Sequence, residues 1–238
     1  MSFLITGANG LIGSDLTKIL SKNNKVIAIY RKNKNKINAD KNIILVKYDL
    51  TKRLQLKYKP RYIINCLVDE TYKKKNSKKY IKNNILITKN IIEFAKKTQV
   101  DLIFNLSSID VYGEVKKNIV TENTLPKNQS DYGFMKYRIE KLITNSNCNY
   151  LNLRIPGTLC FGSKNVIERP WINTSINKII KNKTITIYNP DQKFNNVTSS
   201  SEIAKFINYI IKQRIFNYTL NFASKIPLTV NETIKFIQ

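Results

Sequence analysis

A glycine-rich segment near the start of the chain restricts its fold more than any other feature. It runs Thr6-Gly7-Ala8-Asn9-Gly10-Leu11-Ile12-Gly13, between an apolar run at 2–6 and a segment at 11–22 with helical spacing of apolar residues. Glycines at such a junction let the turn tighten, let backbone N–H groups approach a pyrophosphate and let the helix pack closely on the strand. The segment therefore predicts a strand, a tight turn and a helix whose N-terminus faces phosphate.

The hydrophobic pattern that follows alternates between short apolar runs and longer helical segments. Predicted strands lie at 2–6, 25–30, 43–47, 61–67, 101–106 and 149–154, and predicted helices lie at 11–22, 79–97 and 131–145. The lysine-rich segment 31–42 is predicted to be a loop with at most a short helix. Such alternation is typical of βαβ units around a parallel sheet. We therefore expect an α/β fold with a doubly wound parallel sheet of the Rossmann type.

The pattern becomes irregular after Arg154, where Pro156, Gly157, Gly162 and Pro170 interrupt it. The elements predicted beyond this point are a helix at 171–182, a strand at 184–188, a helix at 200–213, a strand at 218–222 and a helix at 229–237. We expect residues 1–160 to form a dinucleotide-binding Rossmann domain. Residues 161–238 are expected to form a small C-terminal substrate lobe and to complete the Rossmann domain.

The composition excludes several kinds of chemistry. The chain of 238 residues contains no histidine, which removes Ser-His-Asp hydrolysis, imidazole bases and His-ligated metals. Three cysteines form no C-x-x-C pair, so we expect reduced thiols and no metal site. No segment approaches the roughly 18 apolar residues of a membrane span, and the N-terminus lacks the pattern of a secretion signal. A cytoplasmic location is therefore expected, with acid/base work left to Tyr, Lys, Asp or Glu.

The net charge of +25 favours anionic ligands and raises the question of nucleic acid as a partner. The basic residues, however, are spread along the whole chain. A nucleic-acid groove is expected to show a basic cluster interleaved with exposed aromatic residues. We therefore expect small phosphate-bearing ligands, and nucleic acid is the less expected partner.

Two further motifs follow the glycine segment in order. Leu106-Ser107-Ser108-Ile109-Asp110-Val111-Tyr112-Gly113 places a hydroxyl four residues before Tyr112, and Tyr132-Gly133-Phe134-Met135-Lys136 has the spacing Y-x-x-x-K. That spacing puts Tyr132 and Lys136 on one face of a helix. Together the three motifs resemble the extended short-chain dehydrogenase/reductases, the NAD(P)-dependent epimerase/dehydratase family of the nucleotide-sugar type. The resemblance extends over nearly the whole chain.

The resemblance implies that Ser108, Tyr132 and Lys136 are catalytic. Free tyrosine loses its proton near about pH 10, and a neighbouring ammonium favours the phenolate. Tyr132 would exchange a proton with the substrate while hydride passes to or from a nicotinamide. Lys136 would bind the nicotinamide ribose, and Ser108 would hold the reacting oxygen.

The substrate implied by the resemblance is a nucleotide-linked sugar, contacted by Ser108, Asp110 and Tyr132. The implied reaction is epimerisation or reduction. Dehydration is less expected, because Ile109-Asp110 follows Ser108 where the family's dehydratases carry an Asp-Glu pair.

The cofactor implied by the resemblance is NADP or NAD. An acidic residue at the end of the second strand would bind the ribose 2′-hydroxyl of NAD, whereas this chain has Arg31-Lys32 there. A basic pair suits a 2′-phosphate, so the sequence favours NADP unless these two residues simply belong to the lysine-rich loop. The residues implied to bind the cofactor are Gly7, Asn9, Gly10, Leu11, Ile12, Gly13, Arg31, Asp49, Leu50, Leu67, Asn84, Tyr132 and Lys136.

A second function stays open beside the enzyme. A catalytically silent relative that senses dinucleotides or binds RNA would keep the fold and would bind RNA with a steep salt dependence. The presence of Ser108, Tyr132 and Lys136 together argues against it. Since helix-pair dimerisation is common in the resembling family, a homodimer is also expected.

Overall fold

The computed structural model describes residues 1–34, 37, 40–115, 119–160, 170–194 and 197–237. The strands are β1 (Ser2–Thr6), β2 (Lys25–Tyr30), β3 (Ile43–Lys47), β4 (Tyr62–Asn65), β5 (Leu102–Ser108), β6 (Tyr150–Ile155), β7 (Gly157–Leu159), β8 (Lys193–Phe194), β9 (Val197–Ser199), β10 (Tyr218–Asn221) and β11 (Leu228–Thr229). The helices are α1 (Leu11–Ser21), α2 (Ser77–Thr98), α3 (Asp131–Thr144), α4 (Pro170–Ile180), α5 (Ser200–Gln213) and α6 (Val230–Ile237), with a 3-10 turn at Ile109–Tyr112.

Seven parallel strands form the central sheet in the order β10-β6-β5-β4-β1-β2-β3. The chain builds outward from β1 in one direction through β2 and β3, and in the other through β4, β5, β6 and β10. This arrangement confirms the predicted doubly wound α/β fold. Its reversal point lies beside β1, and open α/β sheets bind ligands at the carboxyl ends of the strands at such a point.

Both faces of the sheet are buried, as is usual for parallel sheets. Phe3 and Ile5 of β1 join a buried apolar cluster with residues of α1 and α5. Leu4 points to the other face and joins a cluster with Ile91 and its neighbours on α2. This alternation explains why β1 is apolar at consecutive positions.

A row of side-chain hydrogen bonds crosses the sheet. Asn65 Nδ2 donates to Asn105 Oδ1 at 3.1 Å, and Asn105 Nδ2 donates to Asn152 Oδ1 at 2.9 Å. Thr6 Oγ1 closes one end on Asn65 Oδ1, and Asn152 Nδ2 donates to Thr219 Oγ1 at the other end. The five residues are direct partners in register on β1, β4, β5, β6 and β10. Because buried amides are costly without partners, this row favours a single register.

The predicted strand at 184–188 is wrong, since the backbone there forms neither strand nor helix. Alternating threonine and isoleucine give the period of a strand, but none of the described residues pairs with this largely exposed segment as a strand, and pairing decides whether a strand forms. The short pairs β7 with β9 and β8 with β11 were not predicted. Strands of two or three residues are too short to show a period.

Two elements after residue 170 belong to the Rossmann layers. β10 extends the central sheet beside β6, and α5 packs against α1. The expected domain boundary at 160/161, together with Gly162, falls at residues 161–169, which lie outside the described ranges. Within the described residues, no helix is both long and apolar enough to cross a membrane.

Asn105→Leu should lower the free energy of unfolding by about 3 kcal/mol. The substitution leaves the side-chain Nδ2 of Asn65 without its acceptor and the side-chain Oδ1 of Asn152 without its donor, both buried. Urea denaturation measures this loss. The control Asn208→Leu changes an exposed residue of α5 and should stay within about 0.5 kcal/mol of wild type. Equal stability of the two variants would show that the row contributes nothing.

Candidate active site

A cavity of about 1040 Å³ opens at the carboxyl ends of the central strands, around the reversal point beside β1. Its walls are the segments that follow β1 to β6 and the start of α3. The structure brings together here all the site residues predicted from sequence except Asn84: Gly7, Asn9, Gly10, Leu11, Ile12, Gly13, Arg31, Asp49, Leu50, Leu67, Ser108, Asp110, Tyr132 and Lys136. Residues far apart in the chain therefore share one cavity.

The glycine turn forms one end of the cavity. Gly7 has a φ of +67°, and a Cβ on Gly13 would lie 2.2 Å from the Gly7 carbonyl oxygen, so both positions exclude a side chain. No side chain in the described part of the protein caps the N-terminus of α1. The first-turn N–H groups of a helix lack intrahelical acceptors and carry the positive end of the helix dipole. This end of the cavity therefore fits a pyrophosphate.

Tyr132 and Lys136 enter the cavity from the first turns of α3. Ser130 caps this helix by accepting a hydrogen bond from the N–H of Gly133 at 3.1 Å. A Cβ on Gly133 would lie 2.1 Å from the carbonyl oxygen of Asp110, so this glycine lets α3 approach the 3-10 turn closely. The same turn follows Ser108, and the close approach brings Ser108 and Tyr132 into one cavity.

Ser108 is the last residue of β5 and caps the 3-10 turn. Its Oγ accepts a hydrogen bond from the N–H of Asp110 at 3.2 Å. A hydroxyl has one hydrogen and two acceptor sites, so the Ser108 hydroxyl can still donate its hydrogen. It is therefore suited to hold an oxygen of a ligand.

Lys136 is buried, and its Nζ donates to the carbonyl oxygen of Leu106 at 2.7 Å. The Nζ lies 5.8 Å from the centroid of the Tyr132 ring. Burial lowers the pKa of Lys136 to about 8, although the carboxylate of Glu140 acts in the opposite direction. An ammonium has three donors, so two remain for a ligand or for the Tyr132 oxygen.

A buried ion pair stands behind these residues. Arg154 Nη2 and Glu140 Oε2 are 2.8 Å apart, and Ser107 Oγ donates to the same carboxylate. Arg154 Nη1 also donates to the hydroxyl of Tyr112 at 2.7 Å. The pair thus ties α3 and β6 to the end of β5 that carries Ser108. Glu140 was missed at the sequence level, although its spacing of four from Lys136 places it on the same helix face.

Asn84 does not line the cavity. Its Oδ1 accepts from the N–H of Asp69 at 2.7 Å, and its Nδ2 donates to the carbonyl oxygens of Asp69 and Tyr80, both at 2.9 Å. Both amide hydrogens are therefore used within the protein. The Asn84 side chain holds the segment after β4 in position, and its contact with the cofactor stays a prediction.

Arg31 lines the cavity but is paired. Its Nη1 and Nη2 donate to the two carboxylate oxygens of Asp69 at 2.9 and 3.1 Å, and Nη2 also donates to Thr71 Oγ1. Burial alone would raise the pKa of Asp69, but hydrogen bonds from Arg31 and Thr71 outweigh it and lower that pKa. Asp69 was also missed at the sequence level, because only the fold brings its segment beside the end of β2.

The charges around the cavity cancel. Among the described residues, four basic and four acidic side chains line it: Arg31, Lys32, Lys73 and Lys136, with Asp49, Asp69, Glu70 and Asp110. The whole chain, by contrast, carries +25. The positive excess therefore lies away from this cavity.

Comparison with known proteins settles the family. Residues 3–215 match the model of the NAD dependent epimerase/dehydratase family. The chain belongs to this family. The resemblance seen in the sequence is thereby confirmed, although no curated protein sequence matches the chain.

Solved structures share the fold at low sequence identity. The Bordetella bronchiseptica enzyme WbmG in complex with NAD has a TM-score of 0.83 at 15% identity, with 100% of this chain and 77% of that chain covered. UDP-glucose 4-epimerase from Thermotoga maritima has a TM-score of 0.78 at 18% identity, with 100% and 81% covered. UDP-glucuronic acid 4-epimerase from Bacillus cereus in complex with NAD has a TM-score of 0.76 at 22% identity, with 98% and 80% covered.

Lys136→Met should change how stability depends on pH. The pKa of Lys136 is about 8 in the folded chain and 10.5 for ordinary lysine. Between these two pH values the folded chain therefore binds fewer protons at this residue than the unfolded chain does. Stability rises with pH wherever the unfolded state binds more protons, and Lys136→Met removes this rise. Its stability relative to wild type should fall by about 2 kcal/mol between about pH 7 and about pH 10.

Urea denaturation at each pH measures this effect. Lys141→Met is the control, because Lys141 lies on the same helix and is exposed. Its stability relative to wild type should not change with pH over this range. A Lys136→Met profile parallel to that of wild type would contradict the lowered pKa.

Proposed function

We propose that this protein is an NAD-dependent epimerase of a nucleotide-linked sugar, with Tyr132 as its acid/base. The observation that carries the proposal is the convergence of Ser108, Tyr132 and Lys136 in the cavity that the glycine turn closes at its other end. Family membership supports an NAD-dependent enzyme. Solved structures with the same fold include epimerases named for UDP-glucose and UDP-glucuronic acid, and these support the substrate class.

The cavity suits two ligands together. Its volume of about 1040 Å³ slightly exceeds the roughly 300–1,000 Å³ range of single small-molecule pockets. The glycine turn and the N-terminus of α1 would hold the pyrophosphate of the dinucleotide, and Asp49 with Leu50 would contact the adenine. Ile172 and Val197 also line the cavity, which supports a substrate lobe formed by residues after 160.

The protein's own residues would transfer the proton and stabilise the phenolate form of Tyr132. When bound, the dinucleotide supplies hydride transfer. Tyr132 would accept the proton of a sugar hydroxyl at its phenol oxygen and return it after the sugar has turned in the cavity. The ammonium of Lys136 favours the phenolate electrostatically, and Ser108 Oγ donates a hydrogen bond to the reacting oxygen.

Tyr132→Phe should lower turnover by at least about 10³-fold, because the ring remains while the proton carrier is lost. Dinucleotide affinity should stay within about twofold, since the hydroxyl is a minor part of that contact. Turnover is measured by NMR on a panel of UDP-sugars, and affinity by fluorescence of the reduced dinucleotide. Tyr137→Phe, on the same helix, is the control and should keep full turnover. Turnover that survives in Tyr132→Phe would overturn the proposed acid/base.

Cofactor stoichiometry separates an epimerase from a reductase. An epimerase regenerates its dinucleotide within the site, so many product molecules should form for each NAD added. A reductase consumes one reduced dinucleotide for each product. If only one product molecule forms for each NADH supplied, the protein is a reductase and the proposed reaction type is wrong. The proposed roles of Ser108, Tyr132 and Lys136 would be unaffected.

A further inference from the structure

We infer that Asp69, by pairing with Arg31, makes this cavity select NAD over NADP. The inference rests on the proposed function, because it concerns the dinucleotide of the same site. It reverses the preference for NADP expected from Arg31 and Lys32 in the sequence. Asp69 is thus proposed as a residue that determines cofactor specificity from the segment after β4, whereas Arg31 follows β2.

Arg31 stands where the choice between the two dinucleotides is made. It follows β2 directly, and the end of the second strand is where this type of sheet contacts the adenosine ribose. Asp49 and Leu50, which follow β3, line the same end of the cavity. The group at the ribose 2′ position, a hydroxyl in NAD and a phosphate in NADP, would therefore meet the Arg31 side chain.

The two terminal nitrogens of the Arg31 guanidinium already have hydrogen-bond acceptors. Both terminal nitrogens of Arg31 donate to the carboxylate of Asp69, and Nη2 donates again to Thr71. An arginine binds a phosphate best through the same two parallel hydrogen bonds. A 2′-phosphate would have to displace Asp69 or share the guanidinium with it, and either arrangement brings two negative groups together. A 2′-hydroxyl carries no charge and meets no such repulsion.

Asp69 cannot easily turn away. Its side chain is only 3% exposed, and it also accepts hydrogen bonds from the backbone N–H of Thr71 and from Asn83. Asn84 clamps its backbone on both sides, through the N–H and the carbonyl oxygen. The carboxylate is therefore a fixed part of the cavity wall.

The remaining charges at this edge do not restore a phosphate site. Lys73 is paired with Glu70 at 2.6 Å, and Asp49 adds a further carboxylate. Lys32 is exposed, and a solvated lysine contributes little to binding. A 2′-phosphate would thus enter a region whose formal charges already cancel.

The test measures the dissociation constants of NADH and NADPH by fluorescence for wild type, Asp69→Asn, Arg31→Gln and the double variant. Wild type should bind NADH at least about tenfold more tightly than NADPH. Asp69→Asn should bind NADPH about tenfold more tightly than wild type, because Arg31 is released for the phosphate, while NADH affinity changes less than about threefold. The double variant should lose this gain.

Asp101→Asn is the matched control. Asp101 pairs with Arg61 at the amino ends of the strands, so the substitution makes the same charge change on the side of the sheet opposite the cavity. It should leave both dissociation constants unchanged. An equal gain in NADPH affinity in Asp69→Asn and Asp101→Asn would overturn the inference, because the effect would then come from overall charge.

Arg31→Gln keeps the inference testable if Asp69→Asn does not fold, as judged by circular dichroism. Since Arg31 is occupied in wild type, its loss should weaken NADPH binding by less than about threefold. A tenfold loss, or a preference of wild type for NADPH, would show that Arg31 holds the 2′-phosphate and would overturn the inference. Failure of wild type to bind either dinucleotide would instead count against the proposed function.

Discussion

The geometry of the molecule depends on the side-chain row that crosses the central sheet. Thr6, Asn65, Asn105 and Asn152 are buried polar groups within an apolar layer, and each is satisfied by its neighbour on the next strand. A shift of one strand by a single residue would turn its member to the opposite face and leave the neighbours unpaired. Because Gly7 directly follows Thr6, the hydrogen bonds that hold the strands in register also set the position of the glycine turn.

Two ion pairs and one lysine, in and behind the cavity wall, differ in how firmly their charges are held. Arg154 with Glu140 and Arg31 with Asp69 are locked in ion pairs with several hydrogen bonds, and a buried partner of this kind is costly to lose. Lys136 is different, because its ammonium donates to a backbone carbonyl and burial lowers its pKa to about 8. The charges of the two ion pairs are therefore fixed, while Lys136, whose Nζ lies 5.8 Å from the centroid of the Tyr132 ring, has the lowered pKa.

Sequence reasoning identified residues of the cavity where a motif is defined by local spacing. The glycine turn, Ser108 and the Tyr132 to Lys136 pair are each defined within a few residues, and the structure brings them to one cavity. It did not reveal what depends on a distant partner. The strand expected at 184–188 lacks a neighbour, Asn84 is used by the backbone of Asp69, and the partner of Arg31 lies 38 residues away. Hydrophobic periodicity indicates which face of a helix or strand is buried. It does not indicate which polar side chains come into contact in the folded protein.

The contact between Gly13 and Gly7 bears on how mutational scans of such proteins are interpreted. A side chain at Gly13 would collide with the carbonyl oxygen of Gly7, which is an encounter of the polypeptide with itself. A scan that scores only growth or turnover would assign Gly13 to cofactor recognition. A side chain at this position interferes first with closure of the first βα turn, and only a screen that also counts correctly folded molecules can separate this effect from a loss of cofactor binding.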